Sequence, residues 1–203
     1  MKLYCKKNVI KYENLYKQGH NHSYPNLNLV RIQKSFLFKN LGKTLDFGFG
    51  VGENMLFLAK EGHTMFGLET SKTAIKITKK KFRNEKKKTV LKLIKNSKKL
   101  NFKNNFFDNI VALSVFSQLK TKKRLVSLLK EFNRIMKPKS KFIFDINGPS
   151  KEYLNNSNAL TLRKNEFIKI IKGAGFKIIN SGEVKLKYLG VDDLEYLVIG
   201  EKP

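Results

Sequence analysis

The spacing of apolar residues changes period several times along the chain. Between Lys122 and Met136, the residues Leu125, Leu128, Leu129, Phe132 and Met136 recur at three- and four-residue intervals, which predicts an amphipathic helix ended by Pro138. Residues 8–18 and 27–40 read as two N-terminal helices joined by a polar loop, His20-Asn-His-Ser-Tyr-Pro25. Beyond residue 40, short apolar runs bounded by polar residues predict strands over Thr44–Gly48, Thr64–Glu69, Val90–Ile94, Asn109–Leu113 and Lys141–Ile146. Two more follow at Phe176–Ile179 and Leu194–Ile199. Helices are expected over Asn54–Lys60, from a Ser71 cap to about Phe82, and over Asn165–Lys172 with Gly173 as its stop. Strands alternating with helices imply crossover connections, hence a mostly parallel α/β sheet with helices on both faces. The last strand follows its predecessor through a loop alone, so it should run antiparallel.

The chain has 203 residues, which fits one domain: residues 1–40 as a helical cap and residues 41–203 as the core. Hydrophobic residues make up 41% and aromatics 11%, enough for a packed interior. The longest apolar run, Ile110–Phe116, is interrupted by Ser114, so no transmembrane segment is expected. The N-terminus lacks the apolar core of a secretory signal. Cys5 is the single cysteine, which excludes an intrachain disulfide and a cysteine-held zinc. These features predict a soluble cytoplasmic protein without a metal; they do not encode its oligomeric state.

Charge changes the picture only partly. The formal net charge is +26, far above the roughly 2–8 units of a typical small domain. Nucleic acid is therefore a possible partner. However, 37 of the 42 cations are lysines and only five are arginines, the residue better suited to reading phosphates and bases. The 20 asparagines and 15 isoleucines share AT-rich codons with lysine, so base composition accounts for the excess without a nucleic-acid partner. The densest run, Lys79–Lys88, falls at an expected helix C-terminus, where cations offset the helix dipole.

The candidate chemistry lies at two strand ends. Asp46-Phe-Gly48-Phe-Gly50-Val-Gly52-Glu-Asn54 forms the turn between the first strand and its helix, where open α/β sheets bind ligands. Its glycines run G-x-G-x-G; Glu53 stands where a dinucleotide fingerprint needs its third glycine. The flanking Asp46 and Glu53 would repel a pyrophosphate but suit a ligand carrying positive charge. Gly42-Lys43-Thr44 imitates the end of a phosphate-binding loop, but it precedes the strand, and Leu37 occupies the earlier glycine position. This excludes a nucleotide triphosphatase. Glu69, in Gly67-Leu-Glu69-Thr-Ser71, ends the second strand 21 residues after Gly48, the spacing at which a carboxylate reaches ribose hydroxyls.

With these residues in place, the chain resembles the class I S-adenosylmethionine-dependent methyltransferases. Leu45–Gly52 resembles the family's first motif and Gly67–Ser71 its ribose motif. Asn105–Leu119 is similar to the fourth-strand motif, and Phe132–Pro138 with Lys141–Ile146 to the helix, turn and fifth strand. Ala174-Gly175-Phe176 matches the start of the sixth strand. The resemblance implies a Rossmann-like seven-stranded sheet of order 3-2-1-4-5-7-6 with strand 7 antiparallel. It implies S-adenosyl-L-methionine as cofactor, released as S-adenosyl-L-homocysteine. Its methionine end would meet Asp46, Gly48, Gly50 and Gly52, and its ribose Glu69 and Thr70. Its adenine would meet Asn96 and Ser97, with Asn96 where the family often has Asp. Ser114 would lie near the methyl-transfer face. Pro138-Lys-Ser140 replaces the usual Pro-Gly-Gly turn.

Tyr24-Pro25 and Leu29-Val30-Arg31 look like a segment of family members associated with small molecules and surface saccharides. That likeness implies Tyr24 over the cofactor mouth and Arg31 on the methionine carboxylate. The catalytic residue is unknown; His20 and His22 are candidate general bases. The implied reaction is in-line methyl transfer to a small-molecule or saccharide-type acceptor. Leu113-Ser-Val-Phe116 stands where amino-group methylators of bases carry Asn/Asp-Pro-Pro-aromatic, and no Pro-Cys pair exists. RNA methylation and a catalytically silent cofactor-binding scaffold are the alternatives.

Overall fold

The computed structural model describes residues 6–21, 23–35, 41–85, 89–94, 99–150, 159–188 and 191–203. In chain order the elements are α1 (Lys6–Lys17), α2 (Leu27–Lys34), β1 (Lys43–Phe47), α3 (Glu53–Lys60), β2 (Thr64–Glu69), α4 (Lys72–Lys81), β3 (Val90–Leu93) and β4 (Phe107–Ala112). They continue with α5 (Lys122–Ile135), β5 (Met136–Asn147), α6 (Lys164–Gly173), β6 (Lys177–Tyr188) and β7 (Val191–Glu201). Among the described residues no helix is long and apolar enough to cross a membrane.

The seven strands form one sheet of order β3-β2-β1-β4-β5-β7-β6, as the family resemblance implies. β1 pairs in parallel with β2 and β4, and β7 runs antiparallel to both β5 and β6. Alternate side chains of each central strand enter opposite cores, because successive residues of a strand point to opposite faces. Phe142, Phe144 and Ile146 of β5 join Phe132 of α5 and Phe167 of α6 on one face. Ile143, with Val111 of β4, joins Leu29 and Ile32 of α2 and Met55 and Leu58 of α3 on the other. Strands buried on both faces read as continuous apolar runs, which is why their positions are legible in the sequence.

Local chemistry sets the helix ends. Ser71 accepts the Ala74 N–H at 3.0 Å, and Thr121 that of Arg124 at 3.3 Å. Asn26 caps α2 by accepting from Asn28 and Leu29. α2 is shorter than the predicted 27–40 helix: Ser35 closes it, its N–H bonding to the Arg31 carbonyl, and residues 36–40 lie outside the described residues. Pro138 does not stop α5. The helix ends at Ile135 because Met136 already pairs with Phe107 of β4. Lys139, where a glycine is usual, takes φ +62° and donates its N–H to the Lys202 carbonyl. The left-handed residue after α6 is Gly175, at φ +89°, rather than Gly173, which lies within the helix. β6 and β7 run well past the predicted segments. Polar residues such as Ser181, Glu183 and Lys185 fill β6, whose outer side is exposed, so no apolar run marks its extent. Cys5 lies outside the described residues.

Phe132 joins the α5 face to the sheet. It is fully buried and meets Phe47 of β1 edge-on, with ring centroids 5.0 Å apart. Phe132→Ala is expected to lower unfolding stability by about 3–5 kcal/mol, read from the midpoint of urea denaturation.

Candidate functional site

The first strand ends in a turn that only glycine accommodates. Gly48 has φ +74°, and a Cβ there would lie 2.4 Å from Cγ2 of Val115. Two residues on, Gly50 has φ +55°, and the Tyr16 hydroxyl lies 3.0 Å from where its Cβ would be. The turn is fixed from β2. Glu69 accepts the Gly50 N–H at 2.9 Å through Oε2. Through Oε1 it accepts the N–H groups of Thr70 and Ser71 at 2.5 and 2.9 Å. One carboxylate thus ties the β1 turn to the end of β2 and the start of α4.

The N-terminal helix closes the cleft above this turn. Glu13 of α1 accepts hydrogen bonds from Ser71 Oγ at 2.6 Å and Thr73 Oγ1 at 2.7 Å, at the N-terminus of α4. Burial would raise the Glu13 pKa, but the bonds from Ser71 and Thr73 outweigh it and hold the carboxyl below its usual range. Gln118 Nε2 donates to the Tyr12 hydroxyl at 3.0 Å, and Asn8 Nδ2 to the Gln118 carbonyl at 3.3 Å. The cavity beneath encloses about 60 Å³ between Tyr12, Tyr16, Gly48, Glu69, Thr70 and Ser114. A nucleoside-sized ligand needs several hundred Å³, on the order of 300 or more.

Burial governs the titratable groups here. Asp46 is fully buried, and its Oδ2 has no hydrogen-bond partner. Burial, with the Glu69 charge adding to it, pushes its pKa up to about 8. Burial followed by Glu69 likewise raises the Tyr12 and Tyr16 hydroxyls.

Ser114, Glu69, Thr70 and Gly48 line the cavity. Asp46 sits behind the turn on β1, and Gly52, at φ +88°, opens α3. Glu53 does not face the cleft as an unneutralised acid: it pairs with Lys81, so the acidity comes from Asp46 and Glu69. Tyr24 is 64% exposed, Arg31 lies exposed on α2, and His20 is exposed past the end of α1; none of the three lines the cavity. Asn96, Ser97 and His22 lie outside the described residues. Sequence reasoning missed Asn8, Tyr12 and Tyr16, whose four-residue spacing is the signal that puts them on one helix face. It also missed Val115 and Gln118, in the turn after β4.

The model of a methyltransferase domain family matches residues 45–144, the segment from β1 through most of β5. Residues 45–144 of the chain carry a methyltransferase domain. A solved S-adenosylmethionine-dependent methyltransferase from Methanosarcina mazei is 21% identical, with a TM-score of 0.69 over 79% of this chain and 92% of that one. Phosphoethanolamine N-methyltransferase 2 of Haemonchus contortus, solved with S-adenosyl-L-methionine, is 17% identical with a TM-score of 0.73. The match covers 98% of this chain and 57% of that one. A second structure of that enzyme holds phosphomonomethylethanolamine and S-adenosylhomocysteine; it is 17% identical, with a TM-score of 0.72 over 97% of this chain and 57% of that one. No curated protein matches the chain.

The cofactor of this methyltransferase domain is S-adenosyl-L-methionine, and Gly48, Glu69 and Thr70 of the cavity wall are the residues that would meet it. The bare turn at Gly48 and Gly50 is packed against Val115 and the Tyr16 hydroxyl. The orphaned Oδ2 of Asp46 is buried behind this turn, outside the cavity lining.

Asp46 gives a pH signature. Its folded pKa lies above the unfolded value, so the folded state holds the extra proton between about pH 4 and 8. Stability should therefore fall across that window and level off above it. Relative to Asp46→Asn, the parent protein is expected to lose up to roughly 1.4 kcal/mol per pH unit in that window. Thermal denaturation of both proteins from pH 5 to 8 checks this. Gly48→Ala should lower affinity for S-adenosylhomocysteine sharply, because the new methyl group displaces Val115; calorimetric titration reads the loss.

Proposed function

We propose that this methyltransferase moves a methyl group in line from S-adenosyl-L-methionine to a small-molecule or saccharide-type acceptor. The cofactor brings its methyl group already activated as an electrophile. The protein supplies position and a dry cavity, and orientation of this kind is worth about 7–11 kcal/mol. In this reading the turn at Gly48, Gly50 and Gly52 receives the amino-acid end, with Asp46 behind it. Glu69 and Thr70 hold the ribose hydroxyls, Asn96 and Ser97 the adenine edge, and Ser114 borders the transfer face. Tyr24 and Arg31 would reach the cofactor only if the segment around α2 folded inward, since both are exposed. His20 and His22 stay candidate bases.

The observation that carries this reading is the cover formed by α1. Tyr12 and Tyr16 lie over the glycine turn, and Glu13 fastens the helix to α4. A covered cleft admits an acceptor the size of a metabolite more readily than a nucleic-acid duplex. Among the described residues lining it there is no lysine or arginine to meet a phosphate chain. The small acceptor of the Haemonchus enzyme points the same way.

Calorimetry with S-adenosylhomocysteine tests the site. Glu69→Ala should weaken binding by roughly tenfold or more, since it removes charge-assisted hydrogen bonds and frees the glycine turn. Unchanged affinity would remove the ribose assignment. Glu13→Ala should speed both association and release in stopped flow, because α1 loses its fastening. Transfer of radiolabel to RNA, with a rate falling steeply as salt rises, would replace the small-molecule reading. Tight S-adenosylhomocysteine binding without transfer to any acceptor would favour the scaffold.

A further inference from the structure

One acidic group next to the cleft has no part in holding the cofactor. Asp145 sits near the end of β5, only 1% exposed. Its Oδ1 accepts the N–H of Ser114, a residue of the cavity wall, at 2.6 Å. Its Oδ2 is buried and finds no donor. The β5–β7 register sets Asp145 opposite Leu197 and Asn147 opposite Glu195, so Asp145 and Glu195 are diagonal neighbours on one sheet face. Asp193, two residues before Glu195, shares that face, and its Oδ1 is also buried without a partner. Burial, then the charge and contact of Glu195, then Asp193, push the Asp145 carboxyl well above its ordinary range, while the Ser114 N–H opposes them weakly.

The surroundings make this group unusual. The chain carries 42 cations against 16 acids. Every ion pair among the described residues uses other acids: Glu13, Glu53, Glu61, Asp108, Glu131, Glu166, Glu183 and Glu201. No described lysine or arginine pairs with Asp145, Asp193 or Glu195. Two carboxylates in contact inside a protein cannot both remain charged without a proton or a cation between them. Among the described residues the fold supplies no cation, although the surface is crowded with them.

Resting on the methyl-transfer reading above, we propose that Asp145, Asp193 and Glu195 form the acceptor subsite and select a protonated aliphatic amine. The substrate enters as an ammonium, matched to the acids. Its entry expels to water the proton that the Asp145–Glu195 pair holds at rest; the ammonium has no lone pair, so one of its protons then passes from nitrogen to the emptied pair. The free amine then forms a bond to the methyl carbon as the carbon–sulfur bond of the donor breaks, its electrons staying on sulfur. The methylated product carries the positive charge that the sulfonium gives up. The acids thus bind the acceptor and take up its proton, and Ser114 links them to the cleft wall.

The test uses the full chain and radiolabelled methyl donor. One reaction contains a mixture of primary aliphatic amines from ethylamine to spermidine, the other a matching mixture of polyols and monosaccharides. Label is expected in the amines. Glu195→Gln should lower that rate by roughly tenfold or more, while affinity for S-adenosylhomocysteine stays within about twofold. The parent rate should rise with pH more steeply than that of the variant, whose pair has lost one proton acceptor. If Glu195→Gln fails to fold by circular dichroism, Asp193→Asn takes its place, with the same expected drop. Label in the sugar pool alone, or in amines at a rate neither variant changes, overturns the amine subsite and leaves methyl transfer standing. No label in either pool, with S-adenosylhomocysteine still bound, overturns both the amine subsite and the small-molecule or saccharide acceptor.

Discussion

The site depends on one carboxylate meeting three backbone N–H groups. Glu69 ends β2, and its oxygens take up the N–H groups of Gly50, Thr70 and Ser71. That anchor adds to the bonds of the turn after β1 itself, in which Gly48 N–H donates to the Leu68 carbonyl and Gly52 N–H to that of Phe49. The same charge lies near Asp46, whose carboxyl stays protonated to about pH 8. The cleft therefore has one anchored anion in its wall and one buried acid behind its turn.

The sheet puts these groups together cheaply. Parallel pairing of β1 with β2 and β4 brings Asp46, Glu69 and the turn after Ala112 to one edge. That turn follows β4 through Ser114, held at φ +58° by Asp145, to Gln118, which reaches Tyr12. α1 is thus tied to the sheet through both α4 and the β4 turn.

Much of this was legible from residues alone, for physical reasons. Strands covered on both faces must be apolar throughout, so β1, β2, β4 and the middle of β5 declare themselves. The spacing of Glu69 from Gly48 is fixed by one strand–helix–strand unit, so its place followed from counting. Other parts were hidden. Tyr12 and Tyr16 read as an ordinary helix face until α1 is docked on α4. The outer half of β6 carries no apolar signal because it faces solvent. Glu53 looked like a ligand-facing acid until Lys81, 28 residues on, came alongside it. Asp145 was concealed by its context, Phe142-Ile-Phe-Asp-Ile146, which reads as uninterrupted strand.

The two rims of the sheet give the lysine excess a use that needs no binding partner. β6 and β3 each leave one row of backbone groups without a neighbouring strand. Lys177 and Lys185 project from β6 with most of their side chains in water, and Lys92 stands over the Phe102 ring beside β3. A second molecule adding a strand at either rim would have to bring like charge against like and strip water from it. A long, twelve-residue outer strand is thereby kept from templating aggregation.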